Sequence, residues 1–195
     1  MSRPSSSDVS ALILAGGKAT RFGGAAKHEL VVDGQTIFAR QVATLSPRVA
    51  EILVSSPNDI AGFRTVRDAV TGIGPLAGIA AGLAACRTEW LLVVAGDMPH
   101  ITGALIDQLI AIARGSHDPH AADSLDAVGI RIDGLPEPLC CVLHTRTLPF
   151  VEHRIAAGDY KASRLLTDEL RVHWIDADAH RAALRNVNAP EDLGR

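Results

Sequence analysis

Hydrophobic positions along the chain fall into short unalternated runs, separated by stretches in which apolar residues recur every three to four positions. Ala11–Ala15 (ALILA), Ile52–Val54 and Trp90–Ala95 (WLLVVA) are of the first kind, as expected of strands covered on both faces of a parallel sheet. Thr65 and Val66 read as one more short strand. Between the runs, Ile37, Phe38, Val42 and Leu45 mark the apolar side of a helix that Thr36 caps and Pro47 ends. A second helix starts at Pro75 and carries Leu76, Ile79, Ala80, Leu83 and Ala84 at helical spacing, with Gly74, Gly78 and Gly82 in a row beside them. That bare row can be approached closely by a flat ligand or by the sheet. A third helix runs from the cap Thr102 through Leu105, Ile106, Leu109, Ile110 and Ala113.

Further on, a polar loop over Ser116–Asp126 precedes a predicted hairpin, Ala127–Ile132 and Leu139–Leu143 around the turn Asp133-Gly134. Asp33-Gly34 predicts another turn. Leu148–Ala157 reads as a helix closed by Gly158, Val172–Ile175 and Arg185–Val187 as late strands, and Asn188 or Pro190 as the start of a terminal helical turn. The order β-α-β-β-α-β-α followed by a hairpin predicts an α/β layered fold. No repeat, linker or low-complexity segment divides the chain, so residues 10–195 read as one domain behind a disordered tail, 1–9.

Composition narrows the function classes. With 195 residues and 47% hydrophobic content the chain can bury a full core. A net charge of −3 supplies no basic surface for nucleic acid, so any polyanion must be met locally. No apolar run approaches the ~18 residues of a membrane span. The opening MSRPSSSDVS leads into an apolar run of only five residues, short of the ~7 of a signal segment, which gives the expectation of a cytoplasmic protein. Cys86, Cys140 and Cys141, odd in number and two of them adjacent, suit reduced thiols used in packing. His117-Asp118-Pro119-His120 with Asp123 lacks the ligand set of a structural zinc site and reads as a solvated loop.

The concentrated chemistry lies directly after the first strand. Gly16, Gly17, Gly23 and Gly24 bracket Lys18 and Arg21, and Lys27 follows. Glycines expose backbone N–H groups and cations neutralise phosphate, the components of a triphosphate cradle. It is neither a Walker loop, because Gly17-Lys18 is followed by Ala19, nor a G-x-G-x-x-G fingerprint, because the glycines come in pairs. Asp97 stands at the tip of the WLLVVA strand, where ligands of doubly wound sheets bind, and is the candidate metal ligand. Asp68 stands just beyond the Thr65-Val66 strand.

The stretch LAGGKATRFGGAAK resembles the L-A-G-G-x-x-x-R-M-G-x-x-K signature of nucleotidyltransferases of the sugar-nucleotide pyrophosphorylase type. Gly74-Pro75-Leu76-Ala77-Gly78, Gly96-Asp97-Met98-Pro99 and Asn186-Val187-Asn188-Ala189-Pro190-Glu191-Asp192-Leu193 are most similar to the molybdenum cofactor guanylyltransferase family. The four motifs come in order from Ser10 to Leu193. The resemblance implies a three-layer α/β/α Rossmann-like nucleotidyltransferase fold with a mostly parallel mixed sheet. It implies transfer of GMP from GTP to molybdopterin with release of pyrophosphate, Mg²⁺ as cofactor, and cofactor-biosynthesis or acceptor proteins as further partners.

The same resemblance assigns catalysis to Arg21, Lys27 and Asp97, and nucleotide binding to Leu14, Ala15, Gly16, Gly17, Lys27, Ser55, Asp68, Gly74, Pro75 and Asp97. Asp97 holds the metal, and Asn186 and Asn188 meet the second substrate. The chain departs from the family at Phe22, often Met; at Ala26, often acidic; and at Ser55, often Asn, where a hydroxyl offers fewer hydrogen bonds than an amide. Three alternatives accompany this reading: a cytidylyltransferase or sugar-phosphate nucleotidyltransferase of the same fold, a nucleotide-binding module without turnover, and a scaffold in which the motifs only pack.

Overall fold

The computed structural model describes residues 8–16, 18–19, 25–26, 29–68, 72–115 and 124–187. The apolar runs form the middle of a seven-stranded sheet: β1 (Val9–Leu14), β6 (Ile52–Ser55), β7 (Arg64–Val66) and β8 (Trp90–Ala95). A hairpin, β9 (Ala127–Ile132) and β10 (Leu135–His144), and the strand β11 (Val172–Asp176) complete it. The order is β11-β9-β10-β8-β1-β6-β7. Neighbours pair in parallel except β10, which runs antiparallel to both β8 and β9. Two small ribbons lie outside the sheet, β2 (Lys18–Ala19) with β3 (Ala25–Ala26) and β4 (Val31–Val32) with β5 (Gln35–Thr36).

Both faces of the central strands are buried, which is why their sequences do not alternate. Val9, Ala11 and Ile13 of β1 pack with Leu92 and Val94 under α1 (Ile37–Leu45) and α3 (Gly103–Gly115). Leu12 packs with Leu91 and Val93 under α2 (Pro75–Ala85) and α4 (Leu148–Ala156). Helices thus cover the sheet on both sides: the order of elements predicted layered α/β, and the three-layer arrangement is the one the family resemblance implied. Among the described residues no helix is long and apolar enough to cross a membrane.

Local chemistry sets the ends of these elements. The Thr36 side chain accepts from Ala39 N–H at 3.1 Å, and Thr102 Oγ1 accepts from Leu105 N–H at 3.4 Å. In the hairpin turns Asp33-Gly34 and Asp133-Gly134, all four residues have φ between 50° and 78°, the geometry of a two-residue turn matched to strand twist. Gly158 closes α4 with a paired motif, its N–H donating to Ile155 C=O and Asp159 N–H to Arg154 C=O.

Several expectations shift. The sheet begins at Val9, inside the segment read as tail, and Asp8 adds an ion pair to Arg114 at 2.6 Å. β10 starts at Leu135 rather than Leu139, since a register irregularity between Glu137 and Val142 accommodates Pro136 and Pro138. Arg185–Val187 is not a strand; one bond, Val187 N–H to Asp97 C=O at 2.8 Å, is its backbone tie to the sheet's end. On α2 the buried side is Leu76, Ile79 and Leu83 with Gly78 and Gly82, whereas Ala84 is exposed. A short helix α5 (Ala162–Arg164) passing into a π-helical turn, Leu165–Glu169, was not anticipated. The loop with His117, His120 and Asp123 and the turn at Asn188 or Pro190 lie outside the described residues.

Gly96 is the tightest backbone approach. A Cβ there would stand 2.6 Å from the Leu14 carbonyl oxygen, and backbone cannot step aside as a side chain can. Gly96→Ala is therefore expected to cost about 1–3 kcal/mol in urea denaturation. Gly115→Ala, where nothing lies within 4 Å, is expected to cost nothing measurable.

Candidate active site

The site is a consequence of register. Leu14 stands beside Ala95 on one flank and Ser55 on the other, and Ser55 stands beside Val66. Four neighbouring strands, β8, β1, β6 and β7, therefore end level. Gly96 N–H to Leu14 C=O (3.1 Å), Ala15 N–H to Ser55 C=O (2.9 Å) and Ser56 N–H to Val66 C=O (3.2 Å) carry the ladder past the last paired residues. The segments that follow open onto one cavity of about 380 Å³. Leu14, Ala15, Gly16, Ser55, Asp68, Gly74, Pro75 and Asp97, eight residues singled out from sequence at widely separated positions, all line it. Gly17, Arg21, Lys27 and Asn188 lie outside the described residues.

Within this cavity the side-chain geometry distinguishes Ser55 from its neighbours. Its hydroxyl donates to Asp68 Oδ1 at 3.1 Å, and only 4% of the residue is exposed. The glycine row of α2 serves the sheet at these points: a Cβ on Gly78 would meet Ser55 Oγ at 2.6 Å and Leu14 Cδ2 at 2.9 Å, and one on Gly82 would meet Leu12 Cδ2 at 2.5 Å. Gly78 also lines the cavity, so close helix-on-sheet packing shapes the ligand space.

The loop bearing Asp97 is held from a helix that contributes nothing to the cavity lining. Gln41, fully buried on α1, donates from Nε2 to Ala95 C=O at 2.7 Å and to Met98 C=O at 3.2 Å. Arg40 Nε donates to Pro99 C=O at 3.0 Å. Neither was recognised from sequence. The signal for Gln41 was its place one helical turn from both Ile37 and Leu45: 37, 41 and 45 form the buried stripe, while Phe38 and Val42 are half-buried.

On the other side of Asp97 lies a second cavity of about 980 Å³, lined by His100, Thr102, Glu137, His180, Arg181 and Arg185 among others. Arg181 is engaged with Asp133 at 2.6 Å and Asp178 at 3.2 Å. The Glu137 carboxyl titrates above the ordinary range, chiefly because burial strips its solvation; a hydrogen bond from the Leu139 backbone opposes this and the charge of Asp97 adds to it. Asn186 precedes the residue tied to the Asp97 carbonyl, and its buried Oδ1 has no hydrogen-bond partner among the described residues.

Cys140 and Cys141 take no part in this chemistry. Burial drives the Cys140 thiol far up and the Cys141 thiol to about 12, so neither is a thiolate near neutrality. Among the described residues no three His, Cys, Asp or Glu side chains group as a metal cage. Two carboxylates that follow strand ends, Asp97 and Asp68, line the glycine-rich cavity, and Asp97 would suit a hard cation that takes one or two carboxylates and completes its shell with phosphate oxygens and water.

Comparison with known proteins agrees with this arrangement. The family model described as MobA-like NTP transferase domain matches residues 11–174. The molybdenum cofactor guanylyltransferase of Pseudomonas putida (strain GB-1) is 32% identical over 190 residues, covering 94% of this chain and 95% of that protein. The protein of the same name from Serratia proteamaculans (strain 568) is 31% identical over 194 residues, 96% and 93% of the two chains. Among solved structures, molybdopterin-guanine dinucleotide biosynthesis protein A from Archaeoglobus fulgidus superposes with a TM-score of 0.77 at 22% identity over 94% of each chain, a likeness of fold.

Two outcomes follow from the packing around Asp97. Gln41→Met keeps the bulk of the side chain but strands the Ala95 and Met98 carbonyls, and is expected to cost about 1–3 kcal/mol in urea denaturation. Because Glu137 binds its proton more tightly folded than unfolded, its ionisation weakens the fold as pH rises through the raised pKa. Glu137→Gln should therefore raise Tm at pH 8 in metal-free buffer and leave it unchanged at pH 4, read by differential scanning calorimetry.

Proposed function

The chain belongs to the MobA-like NTP transferase domain family, and from that premise we propose that it transfers GMP from GTP to molybdopterin or molybdenum cofactor in the cytoplasm, releasing pyrophosphate. One observation carries the reading: Leu14–Gly16, Ser55, Asp68, Gly72, Gly74, Pro75 and Ala95–Asp97, distant in sequence, meet in one cavity at level strand ends, with Gly16 and the carboxylates of Asp68 and Asp97 in its lining.

The reaction asks little covalent chemistry of the protein. A terminal phosphate oxygen of the acceptor attacks the α-phosphorus of GTP, the bond to the β-phosphate oxygen breaks, and pyrophosphate leaves with that electron pair. A phosphate monoester is largely ionised at neutral pH, so the nucleophile needs no protein base. The chain's task is alignment and charge neutralisation. Backbone N–H groups of Gly16 and Gly17 hold phosphate oxygens, and Arg21 and Lys27 offset the charge that develops on pyrophosphate. Asp97 is the residue that would hold Mg²⁺, and the ion would supply further charge neutralisation at the phosphates. Leu14, Ala15, Gly74 and Pro75 flank the base, with Asp68 at its edge. Asn186 and Asn188 hold the acceptor, which enters from the larger cavity beyond Asp97.

Incubation with Mg²⁺, molybdenum cofactor and each of GTP, CTP and ATP, followed by mass analysis of the dinucleotide, tests the reading. The expected product is the guanine dinucleotide, with kcat/KM for GTP about one to two decades above that for CTP. A cytosine product at comparable efficiency would defeat it. Asp97→Asn is expected to keep the fold and lose most turnover at saturating Mg²⁺, and full activity would remove Asp97 from the site.

A further inference from the structure

Ser55 lines the cavity, yet its hydroxyl is committed to a protein partner. It sits at the end of β6 under the backbone of α2, 4% exposed, with so little room that a Cβ on Gly78 would come within 2.6 Å of Oγ and 3.2 Å of Cβ. The proton it carries goes to Asp68 Oδ1 at 3.1 Å. Among the described residues this is the hydrogen bond that Asp68 makes, so Oδ2 and the remaining lone pair of Oδ1 are available to a ligand in the cavity that Asp68 lines. Asp68 follows β7, the last of the four level strands, and Asp97 follows β8, the first. Neighbouring strands are about 4.8 Å apart, so the β6 end where the two side chains meet is about 10 Å from that of β8. On the nucleotide-site reading above, a nucleotide with its phosphates at Gly16 and Asp97 would extend its base toward this side of the cavity.

We propose that Ser55 is a positioning residue, which acts by fixing the Asp68 carboxylate under Gly78 so that it accepts from the two adjacent donors of guanine, N1–H and the 2-amino group. This rests on the nucleotide-site reading above and adds the specificity element to it. An ionised carboxylate only accepts. Guanine offers it two donors side by side; hypoxanthine lacks the amino group; adenine and cytosine place an acceptor ring nitrogen where guanine has N1–H. A site built to accept from both donors rejects the analogue lacking one, because a buried acceptor is then left unpaired. The short hydroxyl at position 55 therefore serves selection through Asp68 rather than by touching the nucleotide.

The test measures Kd for GTP, ITP and 2′-deoxy-GTP by titration calorimetry, and kcat and KM for the same nucleotides in transfer, with the wild-type chain, Ser55→Ala, Gly78→Ala and Asp68→Asn. Wild-type protein is expected to bind GTP about tenfold or more tightly than ITP, and 2′-deoxy-GTP about as well as GTP. Ser55→Ala should compress the GTP to ITP ratio to about threefold or less through the affinity for GTP, with kcat at saturation little changed. Gly78→Ala reaches the same end by displacing the hydroxyl. Asp68→Asn, at a half-buried loop position that need not disturb the core, should abolish the ratio even where the other two variants fail to fold. Equal affinities for GTP and ITP in the wild type, or a ratio untouched in Ser55→Ala, would overturn the proposal. So would a loss for 2′-deoxy-GTP exceeding that for ITP, which would put the carboxylate on the ribose. Base discrimination in binding without any transfer would defeat the proposed reaction and leave this inference standing; transfer without discrimination would do the reverse.

Discussion

The close approach of β8 to β1 governs the rest of the structure. The two strands pair in parallel from Val9 and Trp90 to Leu14 and Ala95, and Gly96 continues the ladder by donating to the Leu14 carbonyl with no space for a side chain. Because the pairing runs to the last residue of each strand, the glycine loop after β1 and the acidic turn after β8 leave the sheet at one level. Parallel strands supply this naturally, since their hydrogen bonds are evenly spaced and every strand presents its carboxyl end on the same side. The single antiparallel element, β10, enters beside β8 and brings Leu139 to one cavity and Glu137 to the other, so one irregular stretch of strand forms part of the boundary between them.

Holding a charged turn at the end of a buried strand leaves backbone carbonyls that no ladder can satisfy, and an unpaired buried carbonyl is costly. The chain meets this with side chains from α1. Gln41 spends both amide hydrogens on Ala95 and Met98, and Arg40 reaches Pro99. Val187 then donates to the Asp97 carbonyl from the far end of the chain. The turn is thus fastened by three residues from two parts of the chain, none of which lines the cavity. A site whose chemistry is alignment requires rigidity of this kind.

Much of this was legible in the sequence because the determining signals are local. Unalternated runs flagged strands buried on both faces, Asp-Gly pairs flagged hairpin turns, and Thr36 and Thr102 flagged helix starts, each through chemistry within four residues. The convergence of Leu14, Ser55, Asp68, Pro75 and Asp97 was legible only through the ordered motifs, since register between strands far apart in the chain is not written in any one segment. What escaped depends on tertiary partners. Gln41 looks like an ordinary polar residue until the Ala95 and Met98 carbonyls arrive above it. The π-helical turn at Leu165–Glu169 owes its place to Arg154, buried on α4 and bound to Asp159, Asp168 and Glu169 at 2.6 to 3.2 Å. Arg185–Val187 has strand-like composition, but among the described residues no strand pairs with it, and Val187 bonds the Asp97 carbonyl instead.

On the proposed reading, the layout also separates the part of the site that would perform transfer from the part that would choose the base. Charge neutralisation would fall at the ends of β8 and β1, where Asp97 and Gly16 stand, and there one nucleoside triphosphate resembles another. Differences among bases can be felt only farther along the row of strand ends, at β6, β7 and the start of α2. Those ends are shaped by a small side chain, Ser55, and by a missing one at Gly78, positions where one added atom displaces a neighbour. A Cβ at Gly78 would press on Leu14 as well as Ser55, so this end of the row is coupled through side-chain packing to β1. On the proposed reading, base choice is therefore to be sought at the β6 end of the cavity rather than beside Asp97.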